Sequence, residues 1–275
     1  MKHWTLDDIP WDRFDRTKVD PEILRVIKAA AMVEHNGTDY GTYLCNVFSG
    51  DDAFKAATET WAVEEVQHGK ALGRWAEMAD PDFDFAAAFA RFRDGYKLPL
   101  DATKSIRGSL AGELMARCIV ETGTSSYYTA LRDATDEPVL KEICARIAAD
   151  ELRHYKLFYS HMRRYLDLER LGFWGRLRVG LSRIFETEDD ELAYAYYAAN
   201  GGDEPYSRRA NTHAHALRAY RVYKEPHLDR AVAMVFKAVG LKPHGRLSVF
   251  ARRAAWGFMR WRIDRLERAA AATPL

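Results

Sequence analysis

Apolar and polar residues alternate along most of the chain at steps of three and four, the period of a helix that buries one face. Asp20, Pro21 and Glu22 read as an N-cap, a first-turn proline and a first-turn acid. A helix is predicted from there to about Phe48, with Ile23, Ile27, Ala30, Glu34, Thr38, Gly41 and Cys45 on one stripe. Ser49 and Gly50 break the pattern, and Asp51 or Asp52 caps a second helix that runs to about Ala79. Its stripe is Trp61, Glu65, His68, Leu72 and Trp75. Residues 80–103 hold prolines, a glycine and a short aromatic segment, too long a stretch for a tight turn between helices. The third predicted helix, about Lys104 to Leu131, aligns Leu110, Leu114, Arg117, Glu121, Thr124, Tyr128 and Leu131. Asp136, Glu137 and Pro138 open a fourth, with Leu140, Ile143, Cys144, Ile147, Glu151, His154, Phe158, His161 and Tyr165 inward.

Strand signals are few, and the lone Asn36–Gly37 pair falls inside a helical pattern, so the expected class is all-α. The elements divide the chain into an N-terminal extension (1–19), a four-helix bundle with one long crossover (20–170), and additional C-terminal helices packed on the bundle (171–275). In that last part the pattern weakens through a basic stretch to Ile184, an acidic cluster at 186–191, an aromatic run from Ala193 to Asn200 and a break at Gly201–Gly202. A final helix, about 246–272, sets Trp256, Met259, Ile263 and Leu266 on one side among many arginines.

Composition changes this picture little: 48% hydrophobic and 29% charged residues suit an ordinary globular protein with a core of its own. The net charge of +1 gives no argument for nucleic acid. Charge is uneven, however, because residues 205–275 hold 15 Lys and Arg against 4 Asp and Glu. That segment is expected either to meet an acidic protein or a membrane surface, or to be a solvated face whose long stems cover the core. The first residues lack the apolar stretch of a signal peptide and no run reaches membrane-spanning length, so a cytoplasmic location is expected. Cys45, Cys118 and Cys144 form no C-x-x-C pair and are expected to be small buried hydrophobes.

The chemistry lies in acids that fall on apolar stripes. Glu65 with His68, and Glu151 with His154, are each three apart, so each pair projects from one helix face toward a common point. One such pair arises easily by chance. Here each is preceded, some thirty residues earlier, by a helix with a single inward glutamate, Glu34 and Glu121. Four carboxylates converging in an apolar core would repel one another unless cations neutralised them. Two divalent ions supply four positive charges, with glutamates bridging and one histidine on each ion, an arrangement known from helical bundles. The carboxylate-rich, one-imidazole-per-metal set favours iron over zinc, and iron–manganese remains open beside iron–iron. His161, His213 and His215 are not read as ligands.

Around these ligands the sequence resembles the soluble acyl-carrier-protein desaturases, members of the ferritin-like di-iron carboxylate superfamily. The likeness rests on the run from Trp61 through Glu64, Glu65 and His68 to Gly69, and on Asp150, Glu151, Arg153 and His154. It covers about residues 1–170 and departs at Gln67, where that family usually has arginine. Helix spacing is also close to that of the ferritin-like aldehyde-deformylating oxygenases. The resemblance implies a ferritin-like bundle with metal ligands Glu34, Glu65, His68, Glu121, Glu151 and His154, and makes Thr124, one turn after Glu121, a candidate proton donor. It further implies that Asp150 orients His68 together with a tryptophan, either Trp4 or Trp11.

The implied activity is a dioxygen-dependent oxidation of a C–H bond in an acyl chain or similar apolar substrate, held by a carrier protein, coenzyme A or a lipid. Electrons are expected from an external, ferredoxin-like donor, because no dinucleotide fingerprint is present. A homodimer suits the resemblance. The competing expectations are a ferritin-like ferroxidase or peroxidase, an aldehyde-deformylating type of oxygenase, and a metal-free scaffold.

Overall fold

The computed structural model describes residues 3–185, 190–201 and 205–271, so most of the acidic cluster, Gly202 and the end of the final basic helix lie outside the described residues. Every element longer than a turn is an α-helix among the described residues. In chain order these are α1 (Pro21–His35), α2 (Gly37–Val47), α3 (Asp52–Ala79), α4 (Phe85–Gly95), α5 (Leu110–Ala134) and α6 (Pro138–Glu169), then α7 (Phe173–Phe185), α8 (Asp190–Asn200), α9 (Arg208–Arg221), α10 (Glu225–Val239) and α11 (Arg246–Ala271).

The predicted caps are in place. The Asp20 carboxylate accepts from the backbone N–H of Glu22 and Ile23, Asp51 accepts from Phe54, and Glu137 accepts from Leu140 with Pro138 in the first turn. Two boundaries differ from expectation. The single helix expected to Phe48 is two, because Asn36 sits at ψ 8° and ends α1. An Asn–Gly pair changes the backbone path without changing the apolar period, so the pattern alone did not show the break. The third long helix begins at Leu110 instead of near Lys104: Gly108 has φ +81°, and Ser109 caps the helix on the Gly112 N–H. The Glu169 carboxylate, at the end of α6, accepts from the Leu110 and Ala111 N–H groups and satisfies the same helix start.

α1 packs against α3, α5 against α6, and α3 faces α6, with α4 lying inside the long crossover. Two apolar clusters fill the bundle. One is built around Ile27, Met32, Trp75, Leu131 and Ile143, the other around Leu44, Phe54, Trp61, Leu114 and Phe158. Between them, at the same level on all four long helices, lies a layer of buried acids and histidines. Farther along the chain, α8 packs on α1 and α4, and α7 and α10 pack on α5. α11 rests on α9 and α10 and is outermost: Leu266 is buried while Leu247, Phe250, Phe258 and Trp261 are exposed. Cys118 and Cys144 are buried thiols as expected, and Cys45 is half-buried. No described helix is long and apolar enough to cross a membrane.

Candidate metal centre

Close approach of the first two long helices starts from glycine. A Cβ on Gly37 would lie 2.5 Å from the Glu65 Cβ, and one on Gly69 would lie 2.4 Å from the His35 backbone nitrogen. Only residues without a side chain let α1 and α2 sit this near α3, and Glu34 is thereby held against Glu65 and His68.

The six sequence-predicted ligands converge. Glu34, Glu65, His68 and Glu151 form one group, and Glu65, Glu121, Glu151 and His154 a second, with potential ligand atoms in each lying within 4.8 Å of one another. All six side chains are buried. Glu65 and Glu151 belong to both groups and would be shared if each group held an ion. Each histidine turns Nδ1 inward: His68 Nδ1 is 3.3 Å from Glu34 Oε2 and 3.3 Å from Glu151 Oε1, while His154 Nδ1 is 2.9 Å from Glu65 Oε1 and 3.6 Å from Glu121 Oε2.

The other ring nitrogens show a crossed pattern. His68 Nε2, on α3, is 3.1 Å from Asp150 Oδ2 on α6, and His154 Nε2, on α6, is 2.7 Å from Glu64 Oε2 on α3. Each shared glutamate is thus preceded by an acid that orients the histidine of the opposite helix, which fixes the ring and raises its basicity as a ligand. Arg153 joins the two acids, reaching both Glu64 oxygens at 3.1 and 2.9 Å and Asp150 Oδ1 at 2.7 Å. Of the two candidate tryptophans the structure selects Trp4, whose Nε1 donates to Asp150 Oδ2 at 2.6 Å and whose ring stacks on His68. Trp11 instead donates to the Leu6 carbonyl, with the Arg74 guanidinium over its ring. Thr124, the candidate proton donor, hydrogen-bonds to the carbonyls of Val120 and Glu121 in its own helix and to the Glu151 carboxylate.

Sequence reasoning missed three partners: Glu64 as the support of His154, Arg153 as the tie, and Tyr128, whose Oη donates to Glu34 Oε1 at 2.6 Å. A signal existed for Glu64 and Tyr128. The acids precede both shared glutamates in the same register, and Tyr128 lies on the inward stripe seven residues after Glu121.

Electrostatics explain why this layer would favour a cation. Burial, followed by the charges of Glu151 and Glu34, raises the Glu65 carboxyl well above its ordinary value, and burial with Glu151 raises Glu121 to about 8. Burial opposes charging His68, yet hydrogen bonds to Asp150, Glu151 and Glu34 raise its pKa well above the usual imidazole value. Without metal, protons must therefore take the place of positive charge. The donor set also fits metal ions: Glu65 Oε1, Glu121 Oε2, Glu151 Oε1 and His154 Nδ1 are buried and face one another, with no partner outside the cluster. Orphaned acceptors at one point are costly unless something electropositive sits between them.

Fold and site together define the class: an all-α bundle with a buried carboxylate–histidine cluster able to hold metal ions. Compared with known proteins, the chain matches no family model and no curated protein.

Proposed function

We propose that this cluster holds two iron ions and that the protein is a dioxygen-activating oxidoreductase of the acyl-carrier-protein desaturase type, acting on a C–H bond of an acyl chain or a similar apolar substrate. The observation that carries the reading is the convergence of all six predicted ligands into two groups that share Glu65 and Glu151. Glu34, Glu65, His68, Glu121, Glu151 and His154 would hold the iron, which when bound and reduced would supply the redox chemistry needed to activate dioxygen toward a C–H bond.

The protein's own residues hold and orient. Asp150 and Glu64 keep Nδ1 of His68 and His154 directed inward. The two apolar clusters above and below the layer exclude water from it. Thr124 carries a hydroxyl proton at the edge of the Glu151 carboxylate, where it can be given up and recovered. Electrons come from an external donor, and His3, whose side chain is 29% exposed, and Trp4 are both within hydrogen-bond reach of Asp150.

Anaerobic loading with ferrous iron, followed by metal analysis and measurement of oxygen uptake, tests this reading. Two irons per chain and oxygen consumption are expected, with both lost in Glu65→Ala and Glu151→Ala. Unchanged iron content and uptake in those variants would remove the assignment.

A further inference from the structure

One residue on the predicted inward stripe has no part in the metal layer. Arg117 lies one turn before Glu121 on α5, about 6 Å along the helix axis. Its side chain is only 15% exposed. Its guanidinium stands over two aromatic rings, 5.3 Å from the centroid of Tyr40 and 5.8 Å from that of Trp61. The nearest carboxylate oxygen, Glu113 Oε1, is 4.0 Å from Nε, too far for a hydrogen bond, and Glu113 Oε2 is already taken by Tyr43 and Ser105. Stacking on aromatic faces answers the charge, and the guanidinium makes no hydrogen bond to the protein, its nitrogens reaching the edge of the solvent.

The same neighbours are also unsatisfied. Tyr40 Oη and Trp61 Nε1 are buried with no hydrogen-bond partner, as is Thr58 Oγ1 one turn before Trp61. Each such group costs about 1–3 kcal/mol when left unmade. Two of them belong to the rings under one guanidinium, a concentration that packing alone does not explain. What unites them is polarity: the indole N–H and the guanidinium only donate, and the phenol can donate. Their common complement is an oxyanion. Trp61 stands one turn before Glu65 on α3, and its ring meets the His154 ring edge-on at 6.4 Å, so the group adjoins the metal layer. Leu114, Cys118 and Phe158 belong to the same buried apolar cluster as Tyr40 and Trp61.

We infer that Tyr40, Trp61 and Arg117 form an oxyanion pocket beside the metal centre that binds the carboxylate of an apolar carboxylic acid. The inference deepens the oxidoreductase reading by naming the substrate's polar end, and in that respect rests on it. The binding itself needs only the pocket. A planar carboxylate matches the guanidinium fork, and its second oxygen takes the indole and phenol donors. With the anion anchored one helical turn from Glu121, the carbons nearest the carboxylate are those brought toward the metals.

The test is isothermal titration of the full chain, metal-loaded and metal-free, with acetate, benzoate and octanoate, and with benzamide and octanamide as uncharged controls. Benzoate or octanoate is expected to bind saturably to both forms and at least about ten-fold more tightly than its amide. Arg117→Gln should weaken the carboxylate about 10–100-fold with the amide unchanged and metal content kept. Trp61→Phe and Tyr40→Phe, which keep the rings and remove one polar group each, should produce smaller losses. They decide the matter if Arg117→Gln does not fold. No saturable binding of any of the three carboxylates up to about 10 mM overturns the inference. So does binding that survives these substitutions but vanishes without metal, since the carboxylate is then ligating the ions. Failure to load iron, by contrast, would defeat the oxidoreductase reading and leave the titration of the metal-free chain standing.

Discussion

The two halves of the metal layer are built from the same parts and supported unequally. In the half formed by α1 and α3, Tyr128 donates to Glu34, Asp150 holds His68, and Asp150 is itself held by His3, Trp4 and Arg153. In the half formed by α5 and α6, Glu121 Oε2 has no partner, and Glu64, the support of His154, is held by Arg153, whose side chain is 49% exposed, with His3 more distant at 3.8 Å. Firmly oriented ligands fix a metal, whereas a glutamate with a free oxygen can change how it binds. The second half is therefore the one suited to exchanging ligands. It is also the half against which Trp61 and Arg117 lie.

The sharpest test of shared against separate ligands is metal stoichiometry. Glu65→Ala or Glu151→Ala should abolish binding of both ions, because each carboxylate belongs to both groups. Glu34→Ala and Glu121→Ala should each leave about one ion bound, on opposite halves. Metal analysis after anaerobic dialysis reads the difference, and equal losses from all four variants would erase the distinction between bridging and terminal positions.

Metal removal comes next, and its sign depends on pH. In the metal-free fold Glu65 lies well above its ordinary value and Glu121 at about 8, so both are neutral when folded, and folding is disfavoured as pH rises from the unfolded carboxyl value toward those values. The raised pKa of His68 and His154 gives stability that is full below the unfolded imidazole value and fades at higher pH. Glu151 acts the other way: burial raises it, but the His68 hydrogen bond and the two histidine charges hold it below its ordinary value, so its contribution is lost only in acid. Between about pH 5 and 8 the metal-free melting temperature should therefore fall, while metal binding, which needs deprotonated ligands, strengthens. The gap between loaded and metal-free melting temperatures should widen across that window. A constant gap would mean that the buried acids do not carry the protons assigned to them.

The supports predict a smaller asymmetry. Asp150→Asn and Glu64→Gln each weaken a histidine's orientation, an effect of about 10–100-fold in metal affinity. Asp150→Asn should fall at the larger end, since it releases Trp4 and His3 as well as His68. Stepwise titration with ferrous iron or a spectroscopic substitute such as cobalt measures both sites, and a larger loss in Glu64→Gln would reverse the order argued above.

How much of this was legible beforehand follows from which interactions are local in sequence. The caps at Asp20, Asp51 and Glu137 and the inward phase of the six ligands depend on neighbours within two turns, and the sequence pattern predicts them correctly. The break at Asn36 and the late start of α5 depend on tertiary contacts: Gly37 against Glu65, and Glu169 capping a helix nearly sixty residues earlier. Periodicity is blind to these. The crossing of Asp150 to His68 and Glu64 to His154 becomes visible only when α3 faces α6, although the acid before each shared glutamate announces that something is paired there. Of Trp4 and Trp11, equal as sequence candidates, geometry alone chooses.

Tyr128 offers the finest test of unequal support. Its Oη is buried, donates to Glu34 Oε1, and lies among apolar neighbours of α1 and α6. Tyr128→Phe keeps the ring and its packing but leaves a buried oxygen of Glu34 without its donor, so the metal-free fold should lose about 1–3 kcal/mol. The burden falls on Glu34, which in the metal-free cluster keeps only His68 Nδ1 as a donor, at 3.3 Å. Affinity at the α1/α3 site should drop about ten-fold, in line with the loss of a hydrogen bond to a charged group, with the α5/α6 site unchanged. The two steps of a metal titration would then move closer together or merge, because the more strongly held ion is weakened. If both steps shift equally, support passes through the shared glutamates and the halves act as one unit; if neither shifts, the phenol is a packing group and Glu34 is held by α1 alone.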